Sequence, residues 1–187
     1  MNLLKPNLCL AIALGAAATV PVHGQTTATA GPLPVVGTVP AMCFAGTLAG
    51  AQGTFDLGVL TETATGLMRK DLAAAPKVLS GAFCSAKSTI TITATPLVSQ
   101  NNLATPPTGF SRRVDYVATA SGWTPAPAAF STAQANNAAA VQQRGSAFQG
   151  DITVGISGFS TAGGDTLRLV ADPSYKGAVT VTLAVAD

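Results

Sequence analysis

Along most of this chain, apolar and polar side chains alternate with a period of two. In "STITITATPL" (88–97), Ile90 and Ile92 alternate with Thr89, Thr91 and Thr93 as far as Pro96. "SRRVDYVATASGW" (111–123) sets Val114, Tyr116, Ala118 and Ala120 in one register, and Arg113 and Asp115 in the other. "GDITVGISGF" (150–159) alternates Ile152, Val154 and Ile156, and "TLRLVAD" (166–172) follows the Gly163-Gly164 turn. "KGAVTVTLAVAD" (176–187) alternates Val179, Val181, Leu183 and Val185 against Thr180 and Thr182. Nearer the start, "GTFDLGVL" (53–60) places Phe55, Leu57 and Val59 on one side before "TETATG" turns the chain. A period of two with a single apolar face marks antiparallel strands covered on one side. Six or seven such runs between Cys43 and Asp187 predict an all-β domain, an antiparallel β-sandwich of the immunoglobulin-like kind.

Two stretches depart from the pattern. Residues 129–148, "AFSTAQANNAAAVQQRGSAF", are dominated by Ala, Gln and Asn without periodicity, and predict a long loop with a short helical turn within 137–143. Residues 25–42, rich in Thr, Ala and Pro, resist a helical reading and predict an extended segment ahead of the domain.

Composition narrows the class. Only 10% of residues are charged and the formal net charge is +2, so the chain has no basic face for neutralising phosphates, and nucleic acid is not an expected partner. The first 24 residues have a different character: Lys5 precedes the apolar run "CLAIALGAAATV", and Val22 and Gly24 stand at the −3 and −1 positions before Gln25. A membrane-spanning helix needs about 20 apolar residues, and this run is shorter. The segment therefore reads as a cleaved signal peptide, the protein as exported to the periplasm, the cell surface or beyond, and the mature chain as not membrane-spanning.

Cleavage removes Cys9 and also His23, the one histidine. A mature chain without histidine has no Ser-His-Asp or Cys-His arrangement and no zinc site of the usual His-containing kind, so an enzyme is not expected. Two cysteines remain, Cys43 and Cys84. In an exported chain, with forty residues between them, they are most simply a disulfide rather than a redox pair. "GISGF" (155–159) has Phe159 where a nucleophile elbow requires Gly, and reads as a strand end. Asp151, Asp165 and Asp172 each sit beside Gly or Pro and read as turn residues rather than as a calcium site. Trp123, with the 124–148 loop, is the candidate ligand contact of an alternative reading, a monomeric secreted binding module for carbohydrate. No cofactor or metal is called for.

Taken in order, the leader, "AMCFAG", "FDLGVL", the second cysteine leading into a strand, "RVDYVATA" and the closing "SYKGAVTVTLAV" resemble the spore coat protein U and fimbrial pilin families. That resemblance implies a pilin-like sandwich handled by a periplasmic chaperone and usher, whose partners are other copies or related pilin-like subunits joined by donor-strand complementation. "LPVVGTVPA" supplies a matching feature in its own right. Leu33, Val35, Gly37, Val39 and Ala41 form an apolar alternation suited to a donor strand, although Pro34 and Pro40 lack the amide that a fully paired strand donates. The expected function is thus a secreted structural or adhesive subunit of a bacterial surface fibre or coat.

Overall fold

The computed structural model describes residues 31–50 and 53–186. The expected leader, with Cys9 and His23, lies outside them, as does the first part of the 25–42 segment. The chain divides into two units, Met1–Thr38 and Val39–Asp187. Of the first, residues 31–38 are exposed and form neither helix nor strand.

The second unit is all-β. Its described strands are β1 (Cys43–Phe44), β2 (Thr47–Leu48), β3 (Lys77–Cys84), β4 (Ser88–Ser99), β5 (Phe110–Ser111) and β6 (Arg113–Ser121). They continue as β7 (Ala128–Ser131), β8 (Val141–Arg144), β9 (Phe148–Thr161), β10 (Arg168–Leu169) and β11 (Tyr175–Val185), with one 3-10 turn at Ala138–Ala140. Nine of them form a curled antiparallel sheet in the order β1-β3-β9-β6-β4-β11; β2 shares the edge of β3 with β1, β7 pairs with β6, and β8 pairs with β4. β5 and β10 make a separate two-residue parallel pair.

The curl has a definite corner. β4 and β6 pair only at Leu97↔Val114 and Val98↔Arg113; beyond it, β6 continues against β7 and β4 against β8. Two arms therefore diverge from that corner and share one core. Ile90 and Ile92 come from β4, Tyr116, Ala118 and Ala120 from β6, Ala82 and Cys84 from β3, and Ile152 and Val154 from β9. A second cluster of Met68, Val114 and Leu169 lies under Leu60, Leu72, Leu97 and Tyr175.

Several details differ from the sequence expectation, each for a local reason. Residues 129–148 have the short turn expected within 137–143, a 3-10 turn at Ala138–Ala140, but are not one long loop: they also carry most of β7 and all of β8, edge pieces too short to show a period. "TLRLVAD" forms only the two-residue β10. "GISGF" is not a strand end but lies inside β9, where the register against β6 shifts between Asp115 and Val117, and Gly158 adopts φ 61°. This bulge reverses the phase of β9, so that Phe159 turns to the core and packs 6.1 Å from Tyr116. Asp115, expected outward, is buried. One of its carboxylate oxygens accepts from the Thr132 hydroxyl (2.9 Å) and from Arg113 (2.7 Å), which repays its desolvation. "TFDLGVL" is extended but joins no ladder, and Gly58 (φ 62°) breaks its alternation: Phe55 and Leu57 are half-buried, Val59 is exposed, and Leu60 packs inward in its place.

Candidate functional site

The disulfide predicted from the cysteine count is present. Cys43 and Cys84 are direct cross-strand partners in the β1–β3 ladder, with Cα atoms 4.1 Å apart. Ser85 N–H donates to the Met42 carbonyl (2.9 Å), so the cysteines occupy a non-hydrogen-bonded pair, the closer-spaced kind. Met42 N–H donates in turn to Ser85 Oγ (2.9 Å). These bonds pin a two-residue strand to one margin of the sheet.

The other margin is β11. It pairs along its length with β4, from Tyr175↔Ser99 to Val185↔Ser88, and with no other described strand. Ala186 N–H donates to the Lys87 carbonyl (3.0 Å), which makes 186/87 a hydrogen-bonded pair. Strict antiparallel alternation then directs the N–H and C=O groups of Thr180, Thr182 and Ala184 toward β4, and those of Val179, Val181, Leu183 and Val185 toward the unpaired edge. The side chains of Val179, Val181 and Leu183 point to the core, yet they are only half-buried, whereas Ile90 and Ile92 on neighbouring β4 are fully buried. The core is thus thinnest along β11. Cα atoms of β1 and β11 approach within 8 Å of each other without forming a ladder, and among the described residues each strand leaves one edge unpaired.

The regular register of β11 stops at Ala178. Between Lys176 and Ala178 the ladder shifts, with Pro96 and Leu97 of β4 opposite the single residue Gly177. A β-carbon on Gly177 would come within 2.6 Å of the Thr95 carbonyl oxygen, so only glycine fits without displacing backbone. Tyr116 reaches across the core to this bulge, its hydroxyl 2.8 Å from the Thr95 carbonyl and 3.1 Å from that of Ala178. Burial raises the phenol to about 12, so it remains a donor throughout the physiological range. Below the bulge, a cavity of about 650 Å³ opens between residues 54–61 and residues 169–176, with Leu97 on its wall.

The remaining candidates have structural roles. Leu33 and Val35 are exposed at 86% and 98%; Val39 is exposed as well. Trp123, the candidate ligand contact, is fully buried and offers no face for stacking. Its indole N–H donates to Ser88 Oγ (3.2 Å), its ring meets Phe148 edge-on at 5.2 Å, and its carbonyl accepts from Arg144 (2.6 Å). Packing of this kind is the ordinary use of a large aromatic in a chain where aromatics total 5%. Asp151 accepts from the amide of Gly81 (3.0 Å) at a bulge of β3, and Asp165 pairs with Lys70. Asp172 accepts from the amides of Asn101, Asn102 and Ser174 and from the Asn101 side chain. Desolvation pulls that carboxyl upward, but those four donors outweigh it and hold the group at about 2. Among the described residues, no group of three or more His, Cys, Asp or Glu side chains is placed to hold a metal, and no helix is long and apolar enough to cross a membrane.

Comparison with protein-family models, curated proteins and solved structures finds no match to this chain.

Proposed function

We propose that this protein is an exported structural subunit that assembles into a surface fibre or coat by lending residues 33–39 of one copy to the β11 edge of the next. The observation that carries this is the free edge of β11, which combines four outward-directed backbone positions with half-buried apolar side chains. Such an edge is a template for another strand, and proteins that do not use one normally charge it, cover it or break it. In "VTVTLAV" (179–185) it carries no charged residue and no proline.

Residues 33–39 fit that edge in chemistry and in direction. Leu33, Val35 and Val39 offer apolar side chains to the row Val179, Val181, Leu183 and Val185, and Gly37 takes the fourth position without one. In an antiparallel pairing the same four donor residues direct their backbone groups toward β11, while Pro34 and Pro40 fall on the opposite side, where their missing amides cost no ladder bond. A parallel pairing would put both prolines among the bonded positions, so the prolines select the antiparallel direction. Lodging a strand between β11 and β1 requires these to stand about 9.6 Å apart, twice the usual strand spacing, so the present approach within 8 Å must widen.

Within this reading the two diverging arms and their shared core are the halves of an immunoglobulin-like, pilin-like sandwich lacking one edge strand. The disulfide suits an oxidising, exported setting, and a periplasmic chaperone with an usher would shield the edge until assembly. The test uses protein secreted by its native host, run on unheated denaturing gels. A ladder of multimers that collapses on heating, and that is lost on deletion of residues 31–41 or in Val35→Asp, is expected. A single monomer band, unchanged by the deletion, would overturn the proposal.

A further inference from the structure

The root of the donor arm and the cavity beside Tyr175 lie at opposite ends of the same edge. β1 holds the root against Cys84, with only the turn 85–87 between Cys84 and Ser88, the partner of Val185; the cavity opens at Tyr175 and Lys176, the other terminus of β11. An arm rising from the Val185 end and folding back along its own β11 would run parallel to that strand, the direction in which Pro34 and Pro40 fall among the bonded positions. The edge therefore suits the arm of another copy, entering antiparallel from the Tyr175 end. Little chain separates the two domains at that junction. With Val39 level with Val179, Ala41 comes level with Gly177, and the row ends there because Met42 is already bonded within its own domain. Its carbonyl accepts from Ser85 N–H (2.9 Å) and its N–H donates to Ser85 Oγ (2.9 Å). From Val39 to Cys43 the chain reaches at most about 14 Å. The bond to Cys84 keeps β1 from peeling away to lengthen that reach. The domain that lends the arm must lie against the Tyr175 end of the domain that receives it, where the cavity is.

Both surfaces brought together in this way are apolar. On the lending side, Cys43 and Cys84 belong to the core, so the adjacent cross-strand pair, Phe44 and Phe83, projects from the outer face with ring centroids 6.1 Å apart. Met42 and Phe44 are 47% and 45% exposed. Exposed apolar side chains gathered at one place mark a contact surface, and Met adapts readily to an irregular one. On the receiving side, the cavity of about 650 Å³ has Phe55, Leu57, Leu60, Leu97 and Tyr175 on its walls. We infer that this cavity is the seat for the root of the next copy's arm, with Met42 and Phe44 packed at its mouth. The inference rests on the donor-strand reading and adds to it a second contact between domains. Each copy carries the root at one end of β11 and the seat at the other, so the contact is head-to-tail and uses a different surface on each partner.

The test is hydroxyl-radical footprinting, in which exposed Met and aromatic side chains are oxidised, on secreted wild-type multimers and on the monomeric Val35→Asp variant. Expected is several-fold slower oxidation of Met42, Phe44 and Tyr175 in the multimers. A synthetic peptide of residues 31–41, which lacks the root, should slow amide exchange at Val179–Val185 of the monomer and leave Met42 and Phe44 as reactive as before. In Met42→Ser/Phe44→Ser, multimers should come apart at lower temperature or fail to form, while the peptide still protects β11. Met42 and Phe44 oxidised in multimers at the monomer rate would overturn the seat and leave the donor strand standing. So would protection of Met42 and Phe44 without protection of Tyr175, since the root would then meet another surface, and so would a double variant whose multimers are as heat-stable as the wild type. Absence of both multimers and peptide protection on β11 would remove the donor-strand reading, and the seat with it. Should the double variant not fold, the wild-type footprint decides alone.

Discussion

Reducing the Cys43–Cys84 bond is expected to cost about 4 kcal/mol of stability. The bond closes a loop with a sequence separation of 41, and on the chain-entropy account the freedom it removes from the unfolded state is worth about 4 kcal/mol at 25 °C. The native state contributes little to offset that loss, because β1 is only two residues long and, once released, is retained by its short ladder and the Met42–Ser85 bonds. Cys84 is buried in the core, so Cys43→Ala/Cys84→Ala adds about 1 kcal/mol of lost packing to the same term. Comparing the wild type in oxidised and reduced form isolates the loop term from the packing term. With a urea dependence of about 2 kcal/mol per M, reduction should lower the unfolding midpoint by about 2 M, and the double alanine variant somewhat further. A difference below about 0.5 M between oxidised and reduced wild type would refute the reasoning, since it would mean that the unfolded chain gains little freedom when the loop opens.

Other expectations follow from the packing. Trp123→Ala should destabilise by about 3–5 kcal/mol in thermal or chemical unfolding, because it empties a fully buried site and leaves Ser88 Oγ without the indole donor. Tyr116→Phe keeps the ring but leaves the Thr95 and Ala178 carbonyls short of a donor, and should cost about 1–3 kcal/mol, with faster amide exchange at the β4–β11 bulge as its local sign. Asp172 is held at about 2, below its ordinary 3.8, so its contribution to stability is complete above 3.8 and is lost as pH falls toward 2. Urea midpoints of the wild type should therefore decline across that window, and Asp172→Asn should remove this component of the decline.

How far the sequence revealed this molecule depends on which edge or face is considered. The buried faces of β4, β9 and β11 were legible because Ile90, Ile92, Ile152, Val154 and Val179 to Leu183 repeat with the pleat, and so was the pairing of the two cysteines. Asp115 was not, since a carboxylate two positions from Arg113 reads as solvated until Thr132 is brought over it by β7, two strands' length away in sequence. Bulges were invisible for a related reason: at Gly158 and Gly177 the phase changes through backbone geometry, which side-chain pattern records only afterwards, as Phe159 turning inward. Of the proposed donor and acceptor halves of the site, the apolar alternation of the donor, from Leu33 to Val39, was legible as a pattern. The acceptor half was not, because the side-chain pattern of a half-buried strand is the same whether its second edge is bonded or bare. Nor did "TFDLGVL" show that it lies beside a ladder rather than in one.

The position of the disulfide has a mechanical consequence. Tension applied to the chain ahead of Cys43 enters the domain at that residue and crosses to Cys84 through the sulfur–sulfur bond, so the load is delivered directly to β3. The loop between the cysteines, including β1, β2 and the 54–60 segment, lies off that path and carries no stretch. With the bond intact, a pulled domain unravels about 140 Å less chain than with it reduced, the contour length of those 41 residues. Single-molecule pulling reads that difference directly, and in the proposed assembly it sets how far one subunit lengthens before the strain passes to its neighbour.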